Sequence, residues 1–131
     1  MPWSERAQAD QERAEILSDR RARRAELLAR RMTLPQDEHR RLGAAVVGGL
    51  ISAFPAIRSE RVGIYWPHRR EISPFSFASR VLAEGGEISL PLVLVRRRPM
   101  QFRTWKPGDP LSVGVYGIPF PRDGAAVRPA A

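Results

Sequence analysis

The chain has no cysteine and only one lysine, Lys106. Without cysteine there are no disulfides, no thiolate nucleophile and no cysteine-ligated zinc, and the chain suits a reducing compartment. The two histidines, His39 and His68, are far apart and have no accompanying carboxylate pattern, so they read as surface residues rather than zinc ligands. No serine sits at a glycine-flanked elbow, which leaves out the Ser-His-Asp hydrolase arrangement. The longest apolar stretches, around Ala44 to Phe54 and Ile88 to Val95, are broken by Gly or Pro and are too short to span a membrane. Met1 to Arg24 is charged through its middle, so a secretory signal is not expected and a cytoplasmic setting is.

What is abundant is arginine. Basic residues number 22 against 14 acidic, for a net charge of +8, and all but one of the bases are Arg. Up to Glu60 there are 11 basic and 9 acidic residues, and beyond it 11 and 5, so the excess lies in the second half rather than in a basic N-terminal arm. Such a surface attracts anions: nucleic acid, nucleotide phosphates or a polyglutamylated ligand. A length of 131 residues with 43% hydrophobic content fits one domain.

Ser4 to Met32 contains no Gly or Pro and is rich in Ala, Glu, Gln, Arg and Leu, which predicts a long helix. Its apolar stripe of Ile16, Leu17, Leu27, Leu28 and Met32 begins late, so residues 1–10 are expected to fray. Pro35 opens a second helix with Gln36, Asp37 and Glu38 in its first turn, and Leu42, Val46, Leu50 and Phe54 are expected to form one buried face. Alternating Val62, Ile64 and Trp66 predict a strand closed by Pro67. Ser73-Pro74 then starts a helix carrying Phe77, Val81 and Leu82 to Gly85-Gly86. Ile88 to Val95 reads as a buried strand that Pro91 bulges or interrupts early. Strand, helix, strand implies a parallel pair. Met100 to Trp105 alternates again, Lys106 to Pro110 is a turn, and Val113 to Ile118 suits a short last strand. The expected organisation is a single α/β domain over residues 1–121, with 122–131 a tail lacking order.

Five segments in this order resemble one family. They are Arg20-Arg-Ala-Arg-Arg24 with the helix running on to Arg31, Ile64-Tyr-Trp-Pro-His-Arg-Arg-Glu-Ile72, Leu90-Pro-Leu-Val93 with Met100-Gln-Phe102, Trp105-Lys-Pro-Gly108, and Tyr116-Gly-Ile-Pro-Phe-Pro121. Each is weak alone, but together they are similar to the 5-formyltetrahydrofolate cyclo-ligases, also called methenyltetrahydrofolate synthetases, across Arg20 to Pro129. The resemblance implies a mostly parallel sheet flanked by helices, a NagB/RpiA/CoA transferase-like three-layer fold, here lacking its C-terminal strands. It also implies a monomer that uses ATP and Mg2+ to cyclise 5-formyltetrahydrofolate to 5,10-methenyltetrahydrofolate. A formamide oxygen is a poor leaving group until it is phosphorylated, and phosphoryl transfer asks for charge and positioning rather than a protein nucleophile. No catalytic side chain is therefore assigned.

By the same resemblance, Arg20 and Arg24 contact ATP phosphates, and their spacing of four puts them on one helix face. The family usually has lysine at the first of these positions, and an arginine fork still binds phosphate. A solvated helix with Glu15, Asp19 and Glu26 as partners explains the same residues. Glu71 and Trp66 fall on folate-binding positions beyond the first strand, where open parallel sheets bind ligands. A carboxylate beside an aromatic suits a pterin, although Glu71 also fits a loop acid paired with Arg69 or Arg70, and Trp66 fits core packing. Met100, Phe102 and Tyr116 match substrate-lining positions or plain sheet core. Phe120 departs from the family, which commonly has a polar or acidic residue there.

After Gly124-Ala-Ala-Val-Arg-Pro129, the family continues into a glycine-rich phosphate loop whose aspartate serves the metal, and the Mg2+ ligand is expected there rather than in this sequence. Gly43 to Gly48 has Walker-like spacing but lacks the following lysine. An inactive or truncated family member is the first alternative. A nucleic-acid-binding module on Arg20 to Arg31 and Arg96-Arg-Arg98 is the second, weakened by interleaved acids and the lack of an aromatic platform. Neither a nucleic-acid nor a membrane partner is expected.

Overall fold

The computed structural model describes residues 2–56 and 60–128, and the chain divides into two compact units, Met1–Pro35 and Gln36–Ala131. The first unit is one helix, α1, Trp3–Met32. The segment has no helix breaker, and the helix accordingly runs through residues 3–10 as well. It stops where Thr33 turns its N–H to Ala29 O at 3.2 Å and its hydroxyl to Arg30 O at 3.1 Å. No residue of α1 is buried.

The second unit opens with α2, Gln36–Ala53, directly after Pro35 and with Asp37 and Glu38 in its first turn. The residues that reach the core are Val47, Leu50 and Ile51, while Val46 and Phe54 are more than half exposed. A stripe with a strict spacing of four drifts by about 40° per step around a helix of 3.6 residues per turn. Leu42 and Val46 therefore start on one flank of the contact line, and Phe54 lies past the helix end.

The main sheet has the order β1-β2-β3-β6: Arg61–Gly63, Glu87–Leu92, Gln101–Trp105 and Ala126–Val127. Strands β1 and β2 are parallel, with Val62 opposite Ile88, and are joined by helix α3, Phe75–Ala83. Ser73 Oγ accepts the Phe75 N–H at 3.3 Å at the start of α3. At its end Gly86 N–H reaches Val81 O and Gly85 N–H reaches Leu82 O, with Gly85 at φ +85°, the left-handed C-terminal cap that glycine adopts most readily. The β2–β3 and β3–β6 pairs are antiparallel. The sheet is thus α/β as expected but mixed rather than mostly parallel among the described residues. The link from Val93 to Met100 is too short for the crossover a parallel β2–β3 pair would need.

One face of this sheet carries the core. Ile88 and Leu90 of β2 and Trp105 of β3 meet Phe77, Ala78 and Val81 of α3, with Ile64 completing the cluster. Strand β2 stops at Leu92 rather than Val95, and Pro91 lies beyond the β1 register, where its missing N–H costs no bond to β1.

Two further expectations are corrected. Val113 to Ile118 is not one strand: β4, Leu111–Val113, and β5, Pro119–Pro121, form an antiparallel hairpin whose turn holds Gly117 at φ +72°. The tail expected to lack order from residue 122 supplies β6, where Val127 pairs with Phe102 and the Thr104 N–H bonds Ala125 O at 2.9 Å. Gly124 permits this. A Cβ there would fall inside contact distance of the Thr104 carbonyl oxygen and 3.2 Å from Arg103 Cβ. A glycine within the segment expected to lack order is a docking point in space. Residues 129–131 of that tail lie outside the described residues.

Candidate functional site

The carboxyl ends of the parallel strands β1 and β2 define the edge where an open α/β sheet binds ligands. Beyond Gly63 the chain stays close to β2, because Ile64 N–H donates to Ser89 O at 3.0 Å. Two residues on, Trp66 is half-buried, edge-on to Phe75 at 5.1 Å and to Trp105 at 6.0 Å. Its ring is therefore partly a core residue, as the packing reading of the sequence allowed, with the remainder open to solvent.

The chain then closes on itself. Glu71 Oε1 accepts the His68 N–H at 2.9 Å, and the Glu71 N–H returns to His68 O at 3.2 Å. Between them Arg69 and Arg70 have φ of +49° and +60°. This is a turn with both central residues left-handed, built from arginines where Asn-Gly is usual, and each such residue costs on the order of 1–3 kcal/mol. Helix α2 holds the turn in place. His39 Nε2 is 3.0 Å from Arg70 O, which a carbonyl allows only if the imidazole carries its proton there, and Arg70 Nη1 donates to Gln36 Oε1 at 3.3 Å. Tyr65 donates its hydroxyl to Ile72 O on the far side of the turn. Burial, and secondarily the negative charge of Glu71, pushes the Tyr65 hydroxyl above its ordinary pKa. The strain is thus fixed by surrounding bonds, and its effect is to hold the half-buried Glu71 carboxylate in the turn that follows Trp66.

Met100 and Tyr116 come together elsewhere, on a groove of about 190 Å3 that also includes Leu92, Val93, Val115 and Phe120. The β4–β5 hairpin makes one wall of it and the β2–β3 connection the other. Arg103 fastens that hairpin to β3 by donating to Pro121 O and Arg122 O, both at 3.1 Å. Phe102 packs against Gly63 and shares a recess with Ser89 and Val127, and it does not line the groove of Met100 and Tyr116. Trp66 and Glu71 do not line the 190 Å3 groove, although both places lie toward the carboxyl end of β2.

Arg20 and Arg24 are exposed on α1, in the other unit. Arg20 shares a shallow recess with Asp19, Arg23 and Glu26, and Arg23 pairs with Glu26 at 3.6 Å. Two acids therefore offset the bases around Arg20. Among the described residues no three His, Cys, Asp or Glu side chains gather as metal ligands. No helix among them is long and apolar enough to cross a membrane.

Two aromatic neighbours of Trp66 were not singled out as site residues in the sequence. Phe75 follows Ser73-Pro74 and reads simply as the first residue of a helix. Trp105 is buried with its indole Nε1–H bonded to nothing among the described residues, and sequence carries no signal for that. An unpaired buried donor costs about 1–3 kcal/mol.

No family model matches the chain, and no curated protein sequence does. Among solved structures the chain is similar to the 5,10-methenyltetrahydrofolate synthetase of Aquifex aeolicus, with 31% sequence identity and a TM-score of 0.66. The likeness covers 81% of this chain and 53% of that one, so the chain spans about half the length of its neighbour. The resemblance read from the ordered motifs and the α/β class are both borne out by this likeness.

Proposed function

Taking the chain as a relative of the methenyltetrahydrofolate synthetases, or 5-formyltetrahydrofolate cyclo-ligases, we propose that it serves the ATP-dependent cyclisation of 5-formyltetrahydrofolate to 5,10-methenyltetrahydrofolate. The observation that carries this reading is the likeness to the Aquifex synthetase over 81% of the chain. In the reaction the formyl oxygen takes the terminal phosphoryl group of ATP. The second folate nitrogen then attacks the activated carbon and loses its proton, and phosphate departs with the former formyl oxygen.

The work of this chain is recognition. The Trp66 face takes the flat pterin, and the Glu71 carboxylate accepts from its N–H donors, with the turn at Arg69 and Arg70 fixing the acid before the ligand arrives. Met100 and Tyr116 line the path of the rest of the molecule. Arg20 and Arg24 supply cationic donors to ATP phosphates once the surrounding acids yield to a more highly charged anion. The described residues do not provide a magnesium ligand set, and no step is assigned to the metal here.

The test is the absorbance of 5,10-methenyltetrahydrofolate formed from 5-formyltetrahydrofolate and Mg-ATP, run beside tryptophan fluorescence of the chain titrated with 5-formyltetrahydrofolate alone. Saturable quenching that is lost in Glu71→Gln supports the reading. No quenching, with tight salt-sensitive DNA binding instead, refutes it. A second reading is that the chain binds folate without turnover, because among the described residues no three His, Cys, Asp or Glu side chains gather as metal ligands. Quenching without product formation is its signature.

A further inference from the structure

One peptide unit carries the Glu71 end of the turn, and it is held from both sides. The carbonyl of Arg70 and the N–H of Glu71 belong to the same planar group, whose far corner is the Glu71 Cα. The Glu71 N–H donates to His68 O at 3.2 Å within the turn, and the Arg70 oxygen stands 3.0 Å from His39 Nε2 on α2. His39, a surface residue by its sequence, is half-buried in the structure. Its place is set from further along α2, because Val47, Leu50 and Ile51 of the same helix pack against the core. Gln36 and Gly43, one turn before and one turn after His39, share its helix face. Gln36 Oε1 accepts from Arg70 Nη1 at 3.3 Å, and a Cβ on Gly43 would stand 3.7 Å from Ile72 Cγ2, so this face follows the chain from Arg70 to the exit of the turn.

We infer that His39 is a positioning residue: the hydrogen on its Nε2 fixes the Arg70–Glu71 peptide plane, and through that plane it sets the Glu71 carboxylate for the pterin without touching the ligand. The inference rests on the folate reading above and adds to it a residue outside the ligand-contacting set. The need for such a bond lies in the turn. Arg69 and Arg70, at φ +49° and +60°, gain nothing from their own preferences, and relaxing either one to negative φ swings the plane and carries Glu71 away. The Gln36 bond is exposed and reaches the Arg70 side chain, which has soft torsions between it and the plane, whereas the His39 bond acts on the plane itself. A bond of this kind shifts the balance between the set and the released turn by about three- to tenfold, and the apparent affinity scales with the fraction of chains in which the turn is set.

The experiment has two readouts. In the first, tryptophan fluorescence follows 5-formyltetrahydrofolate binding to the parent chain, to His39→Leu and to His39→Gln, whose amide nitrogen reaches about as far as Nε2 and donates in its place. His39→Leu is expected to weaken binding about three- to tenfold, and His39→Gln to return it to within about twofold of the parent. The second readout needs no folate. Glu71, after burial, contributes to the raised pKa of the Tyr65 hydroxyl, so a carboxylate that leaves its place lowers it. In ultraviolet titration His39→Leu should lower the Tyr65 value in the parent and leave it unchanged in a Glu71→Gln background. Parent-like folate binding by His39→Leu overturns the inference, as does a loss that His39→Gln does not restore. A Tyr65 value that does not move in the parent also overturns it, and so does a shift of equal size in both backgrounds, which would come from looser packing around Tyr65 rather than from Glu71. If the parent chain itself shows no quenching, the folate reading falls, and the Tyr65 comparison alone decides whether His39 places Glu71.

Discussion

Replacing Gly124 with alanine adds one methyl group at the point where the last strand crosses β3. That methyl meets the Thr104 carbonyl oxygen inside contact distance, with Arg103 Cβ and the Thr104 carbonyl carbon each 3.2 Å away. Two of these three atoms are backbone of a paired strand and cannot swing aside as a side-chain tip would. Relief requires the 124–128 segment to lift, which stretches the Thr104 N–H to Ala125 O bond and the pairing of Phe102 with Val127. Overpacking of this kind costs about 1–3 kcal/mol and a lost backbone bond about 1 more, so Gly124→Ala is expected to destabilise by roughly 2–4 kcal/mol. Urea unfolding followed by tryptophan fluorescence reads the change directly. With a slope of about 1–1.5 kcal/mol per molar urea, the midpoint falls by about 2 M. The control is Gly48→Ala in the interior of α2, where an added Cβ meets nothing within 4 Å and helix propensity alone predicts a gain of up to about 1 kcal/mol. An unfolding curve for Gly124→Ala that overlays the parent would mean that β6 does not dock on β3 through this glycine.

Phe77 is among the largest fully buried side chains in the second unit, and Phe77→Ala is expected to cost about 3–5 kcal/mol by the same urea assay. Ultraviolet titration should place Tyr65 above the ordinary tyrosine range near 10, and Glu71→Gln should bring it only part of the way back, because burial is the larger cause and the Glu71 charge the smaller. Since the folded value is the higher one, the stability linked to Tyr65 is complete below the ordinary tyrosine pKa and is lost as pH rises through the folded value. Asp109 runs the opposite way. The hydrogen bond from the Lys106 side chain first, and from the Lys106 N–H second, hold its carboxyl below the ordinary aspartate range. A carbon-detected NMR titration should find it titrating below free aspartate, and Lys106→Gln should move it upward.

The helices were the most legible part of the chain because their signals are local. The breaker-free run after Ser4, Pro35 ahead of α2 and the Gly85-Gly86 stop of α3 each act within a turn or two of the residue concerned. Strand direction was less so. Nothing within Gln101–Trp105 says that it runs antiparallel to β2; that follows from the length of a loop outside it. The role of Gly124 was not legible because it lies in a carbonyl twenty positions away in sequence, on β3. For the site, the order of motifs marked Trp66, Glu71, Met100 and Tyr116, and space divides these into a turn and a groove. The left-handed arginines at 69 and 70 could not be foreseen, because arginine has no preference for that conformation; bonds from α2 to Arg70 and across the turn from Glu71 to His68 impose it.

Helix α1 has thirty residues, none buried, and eight of them are arginines. To trypsin such a segment is a row of accessible cleavage points, each needing only a local opening of the helix to be cut. Arg20 and Arg24 are themselves among those points. A brief digest should therefore remove the candidate phosphate ligands well before it reaches the sheet, and any anion that bridges the two guanidiniums would announce itself as protection from the protease, with no turnover needed.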